Sequence, residues 1–262
     1  VSLDPATISS LAAELAAADR EHGVIDRITA RYPDATVEDS YAIQRVWRDQ
    51  GLAAGRVIAG RKIGLTSRAM QAATGITEPD YGIMFADTVV ASGGEIRSAE
   101  YSNVRIEVEL AFVLKEPLEG PDCTLEDVLT ATEYVTPALE VLNSHIALEG
   151  RTIVDTIADN AAYGAMVLGD TRVAPGDVDL RWVAALLARN GVIEETGVAA
   201  GVLGHPATGV AWLANKIHPH GDRLEAGETI LAGSFTRPVW VQAGDEVTCD
   251  YGDLGVITCS IV

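Results

Sequence analysis

Apolar and polar positions along this chain follow two rhythms. Near the start the spacing is helical. Asp4 can cap a run opened by Pro5, and Ile8, Leu11, Ala12 and Leu15 fall on one stripe, which predicts a helix over residues 4–20. A second helix is predicted from Thr36 to Ala54. Thr36 and Asp39 have capping-box spacing, Val37, Tyr41, Val46 and Trp47 supply the apolar side, and Gly55 ends it. Residues 1–57 therefore read as a helical cap.

From Val57 onward the period shortens toward two. VIAGRKIGL reads as a strand running into a turn, and VRIEVELAFVL alternates as a half-buried strand does. TPALEVLN, AMVLG, ETILAG, PVWV, DEVTCDY and GVITCSIV are short β-rich runs bounded by Gly, Pro or Asp. Helices are expected at Leu125–Ala131 after Asp122, at Leu180–Arg189 and at Gly209–Ile217. There is no internal repeat and no low-complexity linker. The expected fold is α+β, with the helical N-terminal segment followed by a strand-rich core over residues 58–262.

Composition narrows the function. Hydrophobic residues make up 48% of 262, enough for a sizeable core, and no apolar run reaches the roughly 18 residues of a membrane span. The opening VSLDPATISS lacks the basic-then-apolar order of a secretory signal. Cys123, Cys249 and Cys259 show neither disulfide nor zinc spacing, and a reducing, cytoplasmic compartment is expected. A net charge of -19, from 19 Lys and Arg against 38 Asp and Glu, excludes a general nucleic-acid binder. An anionic substrate would need a locally positive site in a repulsive field. Only three lysines exist, Lys62, Lys115 and Lys216.

Candidate chemistry concentrates in five places. In Arg105-Ile106-Glu107-Val108-Glu109-Leu110 the two glutamates and Arg105 share one face of a strand. Two carboxylates about 7 Å apart at the backbone either form a solvated face or hold a cation. Glu140 stands in the apolar run Pro137-Ala138-Leu139-Glu140-Val141-Leu142, where a buried carboxylate needs a metal or a partner such as Arg105. Three glutamates without a Cys or His cluster suit a hard cation, Mg²⁺ or Mn²⁺. Lys62 lies between Gly60 and Gly64, either as a surface lysine at a turn or reaching into a cleft. Buried near other cations, its pKa would fall. Glu78-Pro79-Asp80-Tyr81-Gly82 reads as a turn, and Asp155 to Asn160 as a helix or loop start. Gly233-Ser234-Phe235-Thr236-Arg237-Pro238 either makes a turn or offers hydroxyls and an arginine to a carboxylate. The histidines show no ligand spacing.

The strings GRKIGLTSRAMQ, EPDYG, RIEVELAFVL, PALEV and DTIADNA, in that order, resemble the 2-keto-4-pentenoate hydratase family of the fumarylacetoacetate hydrolase superfamily. The similarity runs from about Tyr32 to Val262, through DLRWVAALLARNGVIEETG and GSFTRPV. It implies a mixed β-roll core, Mg²⁺ or Mn²⁺ held by Glu107, Glu109 and Glu140, and Lys62 with Asp80 as the proton-handling pair. It also implies a homo-oligomer, usually a ring of dimers. The activity implied is hydration of a 2-hydroxydienoate or 2-oxo-4-enoate, expected here to be a heptenedioate from aromatic catabolism. Water would add at C4 and a proton at C3, giving a 4-hydroxy-2-oxo acid suited to an aldolase. Substrate contacts are expected at Arg237, Ser234, Leu65 and Arg105. Arg237 is the expected anchor for a distal carboxylate, with His145 and Arg61 as alternatives. Asn143 and His145 stand where relatives carry Asp and Arg. A decarboxylase of the same fold and a non-catalytic partner subunit are the competing readings. The decarboxylases carry an aliphatic residue at the position of Asp80.

Overall fold

The computed structural model describes residues 2–68, 71–72 and 77–262. Ala69 and Met70, at the end of the GRKIGLTSRAMQ stretch, lie outside the described residues. The first helix, α1 (Pro5–Glu21), starts as its sequence dictates: Asp4 accepts from the amides of Ala6 and Thr7, and Pro5 occupies the first turn. A short α2 (Ile28–Arg31) follows. The third, α3 (Val37–Ala53), opens on a capping box of Thr36 and Asp39, and Gly55 after it has φ 88°. Ile8, Leu11, Ala12 and Leu15 bury against Ile28, Ile43, Ile146 and Ala158, a small core between the helices and the residues beneath them.

The remaining chain builds two mixed sheets. The strands are β1 (Ile58–Gly64), β2 (Asp80–Phe85), β3 (Val89–Ala91), β4 (Gly94–Ile96), β5 (Arg105–Leu114), β6 (Thr132–Leu142), β7 (Tyr163–Leu168), β8 (Ala184–Arg189), β9 (Val192–Val198), β10 (Thr229–Leu231), β11 (Val239–Trp240), β12 (Glu246–Asp250) and β13 (Val256–Ile261). Among the described residues, an eight-stranded sheet runs β2-β1-β10-β5-β6-β7-β3 with β11 also on β5. A five-stranded sheet runs β4-β13-β12-β8-β9. β1 is parallel to β10 and antiparallel to β2, so the roll is mixed. The long pair β5 and β6 forms its centre, with Glu107 opposite Glu140. The helices α4 (Leu125–Ala131), α5 (Ile153–Ala158) and α6 (Pro206–Ile217) interrupt the strands.

Two local expectations need correction. Residues 180–189 are not a helix: only Leu180–Trp182 makes a 3₁₀ turn, and 184–189 is β8. Its Leu and Ala content favours helix, but Asn190 and Gly191, both at positive φ, close a hairpin onto β9, and β12 pairs the other edge. Ala185 and Leu187 are buried while Ala184 and Leu186 are exposed, the period of a strand. Second, Asp80 is the first residue of β2 rather than part of a turn, because its backbone pairs with Gly64. The helix α4 falls where expected, at Leu125–Ala131, capped by Thr124 with Asp127.

Candidate active site

Strand pairing brings distant carboxylates together. Glu107 and Glu109 leave the same face of β5, and Glu140 meets them from β6. One oxygen from each lies within 4.8 Å of the others. The reading of a solvated strand face fails, since Glu109 and Glu140 are fully buried and only Glu107 is partly open. Tyr251 pins the two strands beside them, donating through Oη to the Glu109 carbonyl at 3.0 Å and the Ala138 carbonyl at 2.6 Å.

Lys62 reaches the same cluster from β1, and its Nζ stands 3.1 Å from Glu140 Oε1. That contact is an ion pair without hydrogen-bond alignment. Asp80 opens β2 opposite Gly64. Gly64 is needed there, because a Cβ would sit 2.2 Å from Asp80 Oδ1 and 3.4 Å from Lys62 Nζ. Gly233, at φ 117°, packs against Thr66 where a Cβ would be 2.2 Å from Oγ1. Its amide donates to Glu109 Oε2 at 2.8 Å. The GSFTRPV phrase therefore serves the site through a backbone amide, which the sequence reading missed. A glycine opening that phrase was the available signal.

The electrostatics are those of an unbalanced acid cluster. Burial first, then the Glu140 charge, raises the Glu107 carboxyl to about 7. Burial and the neighbouring glutamates push Glu109 well above its ordinary range. Burial also raises Glu140 and Asp80, against the pull of Lys62. Burial alone would lower the Lys62 ammonium, but Glu140, Asp80, Glu107 and Glu109 outweigh it and hold it above its usual range. The expected fall is thus reversed, because its neighbours here are acids rather than cations. Among the described residues, Glu109 Oε1, both Glu140 oxygens and Asp80 Oδ1 are buried without a hydrogen-bond partner. Buried oxygens are seldom left so. Three converging carboxylates with free lone pairs fit a hard divalent cation held by oxygen.

Arg105 lies one alternation before Glu107 on β5. Its Nη2 donates to Asn103 Oδ1 at 3.0 Å and Ser144 Oγ at 3.1 Å, and it is not the partner of Glu140. Arg237 is not at the cluster. Its side chain is 79% exposed and pairs with Glu195 at 2.6 Å, the surface pairing that competes with a substrate role. Ser234 Oγ closes a turn with Thr236, and the Leu65 carbonyl accepts from Gln71. Arg61 is tied to Glu228 and Asp222. His145 is held by Asp159 at 2.9 Å. Asn160, Ala161 and Ala162 all adopt positive φ, a costly run that hangs on Asn160 bonding both backbone groups of Ile83 in β2.

Comparison with known proteins decides the family. The family model "Fumarylacetoacetate (FAA) hydrolase C-terminal" matches residues 53–262. The chain belongs to the fumarylacetoacetate hydrolase family. Within that family it is 50% identical to 2-oxo-hept-4-ene-1,7-dioate hydratase of Escherichia coli, over 99% of both chains. It is 39% identical to 2-keto-4-pentenoate hydratase of Paraburkholderia xenovorans (strain LB400), over 86% of this chain and 84% of the relative. Among solved structures, 4-oxalocrotonate decarboxylase from Pseudomonas putida G7, complexed with magnesium and adipate, superposes with a TM-score of 0.97 at 34% identity. That superposition covers 100% of this chain and 99% of the decarboxylase. The family roll is thus the fold of this chain throughout, and hydratases and decarboxylases share it.

Proposed function

We propose that this chain is a divalent-metal-dependent hydratase that adds water to 2-oxo-hept-4-ene-1,7-dioate or its dienol form, giving a 4-hydroxy-2-oxo acid in aromatic catabolism. The observation that carries this reading is the convergence of Glu107, Glu109 and Glu140, with Glu109 Oε1 and both Glu140 oxygens lacking a hydrogen-bond partner, beside Lys62 and Asp80. The 50% identical hydratase supports the same chemistry.

Glu107, Glu109 and Glu140 would hold the cation, and the all-oxygen donor set suits Mg²⁺ or Mn²⁺. When bound, it supplies charge stabilisation at the 2-keto oxygen. Lys62 and Asp80 handle protons. Asp80 is buried, its carboxyl raised and its Oδ1 free, the properties of a group that can deliver and accept a proton. A proton leaves C3 and one is added at C5, which moves the double bond into conjugation with the ketone. Water then adds at C4, and C3 regains a proton. Lys62, held protonated at rest by the surrounding acids, steadies the developing anion and can hand its proton on. The 4-hydroxy-2-oxo product is an aldol, so a carbon–carbon lyase is the class of enzyme that consumes it.

The 4-oxalocrotonate decarboxylase reading shares the fold but has no use for an acid at position 80, and Asp80 favours hydration. A non-catalytic partner subunit would have no need of the intact cluster. The chain is also proposed to form a homo-oligomer, for the five-stranded sheet and its approaches expose Trp182, Val192, Ile193 and Val256. A cytoplasmic location fits three free cysteines, and no helix among the described residues is long and apolar enough to cross a membrane.

The test is a substrate panel followed by ultraviolet loss of the conjugated chromophore, with Mg²⁺ and with chelator. Metal-dependent turnover of the heptenedioate is expected, and release of CO₂ instead would make the chain a decarboxylase. Asp80→Asn should lower hydration by about 10²–10⁴-fold. Deuterium exchange at C3 should fall far less, and equal loss of both would remove Asp80 from this role.

A further inference from the structure

Beside the carboxylate cluster two arginines meet on one neutral hydroxyl. Arg105 leaves β5 on the face of Glu107 and Glu109, about 7 Å along the strand from Glu107. It is 8% exposed, and its Nε is buried without a partner. Arg151 lies just before α5. Both end on one atom: Ser144 Oγ lies 3.1 Å from Arg105 Nη2 and 2.5 Å from Arg151 Nη1. Glu107, Glu140 and Asp159 act on Arg105, and Asp159, Asp80 and Asp155 on Arg151, so the pair borders both halves of the site. Burial, then their mutual repulsion in the case of Arg105, weakens the hold of both on their protons.

Two guanidiniums gathered on a neutral hydroxyl repel each other, and the hydroxyl supplies no compensating charge. In a chain with 38 acidic residues the fold could have placed a carboxylate there and has placed Ser144 instead. A planar carboxylate offers two oxygens to two forks and removes that repulsion.

We propose that Arg105 and Arg151, side by side across Ser144, bind the distal carboxylate of a dicarboxylate substrate whose 2-keto acid end lies at Glu107, Glu109 and Glu140. The assignment rests on the hydratase reading for the identity of that near end. One strand step beyond Glu107 is of the order of the five bonds that separate C2 from C7 in a heptenedioate. Asn103 and Ser144 act as positioning residues, since they orient Arg105 and touch no substrate in this scheme.

The test uses two unreactive probes, 2-oxoheptanedioate and 2-oxoheptanoate, titrated calorimetrically into the Mg²⁺-loaded protein. The wild type should prefer the dicarboxylate. Arg105→Met and Arg151→Met should each weaken it roughly 10- to 150-fold, the worth of one charge-assisted hydrogen bond, and leave 2-oxoheptanoate unchanged. Arg105→Lys, which keeps the charge but loses the fork, should fall between and guards against a folding defect. Equal weakening of both probes, no weakening, or a wild type that binds them alike would overturn the anchor. Turnover of the heptenedioate is scored separately. A wild type that discriminates the probes but hydrates nothing would sink the hydratase reading and leave the anchor standing.

Discussion

Asp39 in the helical cap and Glu109 in the roll are both fully buried carboxylates, and the protein treats them in opposite ways. Asp39 receives the amides of Ser2, Leu3 and Thr36 at 2.8, 3.0 and 2.8 Å, and the hydroxyls of Ser2 and Thr36 at 2.8 and 2.7 Å. Burial alone would raise its pKa, but these donors hold it well below the ordinary carboxylate range. Glu109 receives one amide, from Gly233, and leaves Oε1 bare among two more glutamates. Burial of a charge is tolerable when local donors saturate it and costly when they do not. A saturated carboxylate is a structural clamp, here tying the chain start to α3. An unsaturated cluster keeps its lone pairs for a ligand, and the fold bears the cost.

Removing one charge from each kind should separate them. Glu109→Gln should cut activity by on the order of 10⁴-fold, since Lewis-acid stabilisation is worth several kcal/mol. In chelator the same variant should melt no earlier than wild type, because the glutamine can still accept from Gly233 and can donate to its neighbours. Added Mg²⁺ should raise the wild-type melting temperature and not the variant's. A variant that stays active and Mg²⁺-stabilised would put the cation elsewhere.

Asp39→Asn should do the reverse. It turns one saturated oxygen into a donor that faces the Thr36 amide, and stability should fall by about 2–4 kcal/mol in urea unfolding. The folded variant should turn over substrate at the wild-type rate. A large loss of turnover without a loss of stability would make the cap part of the chemistry and dissolve the contrast.

The two regions also differ in how far the chain alone reveals them. Local signals were readable: both predicted N-terminal helices form with their caps, and the parity of Glu107 and Glu109 follows from strand geometry. Glu140 was legible as an acid in an apolar run. What was hidden depends on contacts between distant segments. Nothing near Gly233 says that its amide will meet Glu109, 124 residues earlier. Arg237 was favoured over His145 and Arg61 because its neighbours include hydroxyls and a proline, and Arg151 carried no local signal at all. The structure puts Arg237 in solvent, and Arg151 on the Ser144 hydroxyl. The misread 180–189 segment is the same lesson at shorter range, where pairing with β12 overrides the propensity of Leu and Ala.

His145 sits between the two regimes and should give the smallest effect. Its Nδ1 is 2.9 Å from the buried Asp159, and its Nε2 is 3.4 Å from Asp19 on α1, so a charged ring links core to cap. Burial opposes that charge, but the bonds to Asp159 and Asp19 push the ring's pKa up to about 10. A histidine raised in the folded state contributes its full stability below the unfolded value of 6.5, and loses it as pH climbs toward 10. Two features shrink the amount. Asp19 is 40% exposed, so solvent screens its arm. Asn143 Nδ2 lies 2.9 Å from Nε2 and can donate to a neutral ring, which leaves the uncharged form partly satisfied. The loss between pH 6.5 and 10 should therefore be roughly 1–2 kcal/mol, near the worth of a single hydrogen bond. The comparison is His145→Arg, whose guanidinium stays charged across that window. Unfolding in urea at pH 6.5, 8 and 9.5 should show the wild type losing ground to this variant as pH rises. Parallel curves would mean that the ring is already neutral at pH 6.5, and that Asn143 rather than Asp19 is its second partner.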